Sequence, residues 1–150
     1  MSIHTCVNPG RGVDSIPFGS DEKFVVASLG LADFTDLIKE KTLGSTKVLY
    51  YFDRGITFYF DEEDGYRLGC IEVEGFSIFM FDQNVARISK EELKNVLRKN
   101  GIEDWYEDND EEQEALTSDS LAATFYFEFN TLISVQIGVC TDQEENPIWP

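Results

Sequence analysis

Hydrophobic and polar residues alternate most cleanly over Ile56-Thr-Phe-Tyr-Phe60, and nearly the same word returns as Thr124-Phe125-Tyr126-Phe127. A period of two predicts strands, with Ile56, Phe58 and Phe60 on one face and Thr57 and Tyr59 on the other. The β-rich run Lys47–Phe52, the segment Tyr66–Glu74 and the segment Phe76–Phe81 flank the first copy. The turn words Asp53-Arg-Gly55 and Glu62-Glu-Asp-Gly65 separate them, which predicts a four-stranded antiparallel meander. Around the second copy, Leu121–Phe129 and Ile133–Val139 read as strands.

Helical spacing occurs in three places. Asp21–Leu29 follows Ser20, a capping residue type, and stops at Gly30. Ala32–Lys41 places Phe34, Leu37 and Ile38 three to four residues apart and predicts a second short helix. Ser89 and Glu92 form a capping box ahead of Leu93, Val96 and Leu97, and Asn100-Gly101 ends that helix. The stretch 2–14 is polar, turn-rich and interrupted by Pro9, so it predicts no element.

The intervals agree between the halves: 69 residues separate Ser20 from Ser89, and 67 separate Thr57 from Thr124. Matching helix and strand spacing suggests one unit used twice. The expected fold is therefore α+β, a single domain over 1–150 with internal units at about 15–81 and 88–139. Each unit would be a helical stretch followed by an antiparallel sheet, with the helices on one sheet face. The opposite face would carry Thr57, Tyr59, Thr124, Tyr126, Glu128, Ser134 and Gln136. Tyr51 joins them if Val48, Tyr50 and Phe52 point inward.

Charge alters what that face can do. The 150 residues include 29 acids and 12 lysines and arginines, a formal charge of −17, which repels phosphate backbones and attracts basic surfaces. Nucleic acid is excluded as an expected partner. Glu103–Glu114 concentrates eight acids and no base in twelve residues, a pattern that reads as a solvated loop. Trp105 and Tyr106 qualify that reading, because a short strand there would anchor the loop. No segment approaches the roughly 20 apolar residues of a membrane-spanning helix. Cys6, Cys70 and Cys140 lack ligand or pairing spacing, and Met1–Asp14 lacks a leader pattern, so the expected address is cytoplasmic.

Familiar chemistry is absent at the level of motifs. His4 is the one histidine and sits in the polar N-terminal stretch, leaving no base for a nucleophilic serine or cysteine. The Asn8–Gly12 stretch has no GxxxxGK[ST] spacing. An EF-hand around Gly65 would put Phe60 and Ile71 at its first and last ligand positions. No catalytic residue, metal site or cofactor is expected. A pair of carboxylates can be nominated anywhere among 29 acids, so none is nominated.

The stretches Ser20–Gly30 with Thr57–Val73, and Ser89–Gly101 with Thr124–Val139, resemble the β-lactamase-inhibitor-protein-like tandem architecture. They are also similar, more loosely, to bacterial immunity proteins that neutralise toxins. The resemblance is one of topology, covers about half the chain, and implies a non-catalytic inhibitor or immunity protein. Its partner would be a basic toxin domain, such as a nuclease, whose active site it occludes. The contact residues expected are Tyr59 and Tyr126 on the sheet, and Asp104, Trp105, Tyr106, Glu107, Asp108, Asp110, Glu111 and Glu112 in the acidic stretch. The competing expectation is a small-molecule binder or enzyme using the sheet face or a cleft between the units.

Overall fold

The computed structural model describes residues 4–42, 44–110 and 113–150. Thirteen strands and two α-helices follow one another along these residues. The strands β1 (Thr5–Asn8), β2 (Gly12–Val13) and β3 (Ile16–Pro17) precede helix α1 (Glu22–Leu29). Then come β4 (Phe34–Glu40), β5 (Gly44–Tyr51), β6 (Ile56–Asp61), β7 (Arg67–Glu74), β8 (Ile78–Met80) and β9 (Gln83–Asn84). Helix α2 (Lys90–Lys99) leads into β10 (Trp105–Asn109), β11 (Glu114–Ser118), β12 (Ala123–Glu128) and β13 (Thr131–Gly138).

Eight strands form one antiparallel sheet in the order β10-β11-β12-β13-β7-β6-β5-β4. The two four-stranded runs meet where β7 pairs with β13. A smaller mixed sheet, β3-β2-β1-β8-β9, closes over the core, with β1 and β8 parallel. One hydrophobic cluster joins both sheets and both helices. It runs from Val7, Ile16 and Ile78 through Val25, Leu93 and Leu97 to Phe58, Phe60, Phe125 and Phe127.

This architecture corrects the expected fold class. The chain is mostly strand, and its two arms fuse into one continuous sheet in place of two tandem helix-plus-sheet units with a helical layer. The 8- and 10-residue helices share the core-facing side with a second sheet. That sheet is built partly from the N-terminal stretch expected to be element-free. Its short strands combine local hairpin pairs, Val7 facing Val13 and Gly12 facing Pro17, with one long-range pairing that the local sequence does not show, Thr5 facing Ile78. A Cβ at position 12, where φ is +143°, would overlap the Ile16 carbonyl, so only glycine permits this approach.

Other expectations change with it. The segment 32–41 is not a helix but the edge strand β4, paired with β5 from Phe34↔Tyr50 to Glu40↔Gly44. All seven of its residues are exposed, so the three-to-four spacing of Phe34, Leu37 and Ile38 marks no buried helical stripe. The 76–81 segment does not extend the meander, because β8 leaves to pair with β1. Asp21, not Ser20, caps α1 by accepting from the Phe24 amide at 2.8 Å, while the Ser20 hydroxyl donates to the Pro17 carbonyl. The capping box of α2 forms: the Glu92 amide donates to Ser89 Oγ at 3.1 Å and the Ser89 amide to Glu92 Oε1 at 3.3 Å. In the acidic stretch the short strand expected at Trp105 and Tyr106 is present and runs on to Asn109, pairing with β11 from Trp105↔Ser118 to Asn109↔Glu114, so these described residues are sheet and not solvated loop. No helix among the described residues is long and apolar enough to cross a membrane.

Candidate functional site: the open sheet face

Strand alternation buries one face of the large sheet against the core and leaves the other more open: there Val48, Ala115 and Ser134 are buried, and Thr57, Tyr59, Glu72, Thr124, Tyr126 and Gln136 are half-buried. Ile56, Phe58 and Phe60 on β6, and Ala123, Phe125 and Phe127 on β12, are buried toward the core. The residues between them point away. Both T-F-Y-F copies occupy the same place in their arm, and both carry a register irregularity immediately after the tyrosine. Such a bulge re-aims the side chains beside it.

The register brings distant residues into one row across the open face. Phe34 pairs with Tyr50, Tyr50 with Thr57, Thr57 with Glu72, and Glu72 with Gln136. Gln136 then pairs with Thr124, Thr124 with Thr117, and Thr117 with Tyr106. At the usual strand spacing this row spans roughly 34 Å. Tyr59 and Tyr126 flank it. Tyr59 donates to Glu72 Oε2 at 3.4 Å, and Tyr126 donates to Gln136 Oε1 at 3.1 Å. Gln136 Nε2 in turn donates to Cys70 Sγ at 3.3 Å, which links the two arms through side chains. Thr117 and Thr124 share a hydroxyl contact of 3.2 Å.

Partial burial and crowded acids set the electrostatics of this centre. Burial, with the neighbouring Glu72 carboxylate, pushes the Tyr59 hydroxyl up to about 12. Burial raises Tyr126 as well, with Glu72 and Cys70 adding to it. Glu72 is itself raised, first by burial and then by Glu74, against the opposing bond from Tyr59. The Cys70 thiol is pushed up to about 11 by burial. These shifts keep the hydroxyls and the thiol protonated at neutral pH. In that form they serve the face as hydrogen-bond donors and weak acceptors.

The acidic hairpin divides by face. Tyr106 and Asp108 point to the open side, opposite Thr117 and Ala115. Trp105 packs against the core with the Arg98 guanidinium 5.1 Å from its ring centroid. Glu107 binds Lys94 of α2 at 2.8 Å, and that partner holds its carboxyl below the ordinary value. Asp104 accepts from the Ser118 and Ser120 hydroxyls and the Ser120 amide, which lower it likewise. Asp110 accepts from the Gln113 amide at 2.6 Å. Glu111 and Glu112 lie outside the described residues.

Of the expected contacts, Tyr59, Tyr126, Tyr106 and Asp108 therefore share one face, whereas Asp104, Trp105 and Glu107 serve the fold. Tyr51 does not join the face. It is buried with Leu49 and donates to the Gly30 carbonyl at 2.8 Å, and Tyr50 takes the outward place. The consecutive burial of Val48 and Leu49 hid that parity. Glu72 is a face residue that strand alternation over Ile71-Glu72-Val73 signals but that was not among the expected contacts. Among the described residues no group of histidine, cysteine and acid side chains could hold a metal ion.

No family model matches the chain, and no curated protein matches it. Among solved structures, that of an extracellular protein containing a SCP domain from Bacillus anthracis str. Ames aligns at 14% identity and a TM-score of 0.47. The alignment covers 79% of this chain and 42% of that one, so the chain spans less than half of that protein's length. A likeness at this level carries no argument about either fold or function.

Proposed function

We propose that the chain is a non-catalytic protein-binding module whose open sheet face receives a basic partner. Its most concrete form is an immunity or inhibitor protein that occludes the active site of a basic bacterial toxin domain, for instance a nuclease. The observation that supports this reading is the row of tyrosines, threonines and carboxylates across the open face, fixed by cross-strand hydrogen bonds. Rigid tyrosines among small polar groups give contact area at low entropic cost. The formal charge of −17 steers a cationic partner toward the chain.

The test is inhibition of a basic toxin domain encoded beside this protein. The wild-type chain should abolish that domain's activity at equimolar concentration. A Tyr59→Arg/Tyr126→Arg double variant should lose inhibition by about 100-fold or more, as paired hot-spot losses do. A Lys99→Glu control on exposed α2 should inhibit normally. Full inhibition by the double variant removes the sheet face from the contact, and no inhibition by the wild-type chain removes the immunity role.

A further inference from the structure

One end of the large sheet holds a second recognisable site, which borders the open face through Glu74 and through Phe52, stacked on Tyr50. A cleft of about 700 Å³ lies where the β5–β6 turn meets the β7–β8 connection and Arg87. That volume falls in the range that takes small ligands, about 300–1,000 Å³. Gly55 fixes its shape: φ there is +67°, a Cβ would overlap the Glu74 carbonyl, and the Glu74 amide donates to the Gly55 carbonyl at 2.8 Å.

The lining is unusual for so acidic a chain. Arg54 and Arg87 both face the cleft, and neither forms a salt bridge with any described residue. Arg87 is instead held over the Phe76 ring, 4.4 Å from its centroid, which positions the guanidinium while leaving its N–H groups unspent. Phe76 and Phe52 line the same cleft and are 78% and 65% exposed. Thr5, 2% exposed, also lines the cleft. Glu74 and Glu128 complete the rim.

This combination selects a chemistry. Two unpaired guanidinium groups call for a carboxylate, which they bind with paired N–H donors. A phosphate dianion would also meet them, but Asp53, Glu74 and Glu128 in the same lining oppose a second negative charge. A carboxylate accompanied by an ammonium satisfies both sets, and the exposed phenyl rings call for an apolar body between them. We propose that this cleft binds a small zwitterion with an apolar side chain, a free amino acid or dipeptide. The carboxylate would sit on Arg54 and Arg87, the ammonium toward Glu74 and Glu128, and the side chain on Phe52 and Phe76.

The experiment is a titration of the full chain with L-phenylalanine and with glycyl-phenylalanine, followed through the amide resonances of Gly55, Gly75 and Ser77. Saturable shifts confined to the cleft are expected, and the tighter of the two identifies the free or the peptide source. Phenylalaninamide, without the carboxylate, and 3-phenylpropionate, without the ammonium, should each bind about tenfold more weakly or worse. Arg54→Gln and Arg87→Gln should weaken L-phenylalanine similarly, with the amides of α2 and β10 unmoved as the check on folding. Absence of saturation by either zwitterion at 20 mM, or equal affinity for 3-phenylpropionate and L-phenylalanine, overturns the proposal. Because the open face is untouched by these variants, loss of ligand binding and loss of partner inhibition are separable outcomes.

Discussion

Glu72 and Gln136 stand directly opposite each other on the two central strands, and the rest of the open face is arranged outward from that pair. Thr57 and Thr124 flank it, then Tyr50 and Thr117, then Phe34 and Tyr106. An acid and an amide occupy the two related central positions. The amide avoids placing two carboxylates face to face in a half-buried setting.

Gln136→Glu should therefore destabilise the chain at pH 7 by about 1 kcal/mol, since like charges directly opposite on a sheet repel. The companion change Glu72→Gln should act the other way. Burial first, and Glu74 second, raise the folded carboxyl of Glu72 above its unfolded value. For an acid this means the ionised form costs stability above the folded pKa, and the cost is relieved as pH falls through it. Removing the charge should raise stability at pH 7 by less than about 1 kcal/mol, screening included, and abolish this group's gain on acidification. Urea unfolding at pH 7 and pH 5 measures both. Equal destabilisation of Glu72→Gln at the two pH values would contradict the assignment.

The repeated T-F-Y-F word separates into stability and surface. Phe58 and Phe125 are fully buried and belong to the same core. Phe58→Ala and Phe125→Ala should each cost about 3–5 kcal/mol. Tyr59→Phe and Tyr126→Phe keep the ring and lose one hydroxyl bond on a partly exposed face, so each should cost about 1 kcal/mol or less. Denaturation midpoints at constant slope decide the matter. A tyrosine variant as damaging as its phenylalanine neighbour would mean that the open face is covered.

What could be read from residues alone follows from burial. β6 and β12 were legible because one face is buried and one is not, so polarity reports the pleat. α2 was legible because its capping box is local chemistry. β4 was misread because an edge strand that buries neither face leaves no period-two signal, and Phe34, Leu37 and Ile38 mimic helical spacing by default. β1 to β3 were invisible because strands of two to four residues are too short to show a period; β1 is anchored by β8, with Thr5 facing Ile78, and β2 and β3 fold back onto it as local hairpins. The acidic stretch reads as a solvated loop, relieved only by Trp105 and Tyr106, because counting charges ignores where they point. Glu107 goes to Lys94 and Asp104 to two serines, which leaves Tyr106 and Asp108 on the open face. The row through Glu72 and Gln136 needed the register itself.

Thiol chemistry should follow position. Cys6 is exposed, whereas burial pushes the Cys70 thiol up to about 11 and Gln136 donates to its sulfur. At pH 8 a disulfide reagent such as dithionitrobenzoate should modify Cys6 quickly in the folded chain and Cys70 only after unfolding, because the thiolate is the reactive form. Cys6→Ser should remove the fast phase. Peptide mapping that finds Cys70 modified in that phase would show that the centre of the sheet opens in the native state.

Lys94 ties the acidic hairpin to α2. It binds Glu107 at 2.8 Å and Glu91 at 3.4 Å, while Arg98, one turn on, covers Trp105. The bond from Lys94 lowers the folded pKa of Glu107, and the bond to Glu107 raises that of Lys94. The signs give a window. The Glu107 contribution is fully present above its unfolded pKa and lost as pH falls through the depressed folded value, whereas the Lys94 contribution is present at neutral pH and lost only in strong base. Glu107 is exposed and Lys94 half-buried, and solvent screens the pair from the Glu107 side, so Lys94→Met should cost global stability no more than about 1 kcal/mol. Its clearer effect should be local, with amide exchange accelerated across Trp105–Asn109 at pH 7 while β6 and β12 keep their protection. Once the intrinsic exchange rate, which itself falls with pH, is divided out, protection of the same amides should drop in the wild-type chain below the depressed carboxyl value and stay constant in the variant. Unaltered exchange in Lys94→Met would show that the ladder to β11 and the packing of Trp105 hold the hairpin without the ion pair.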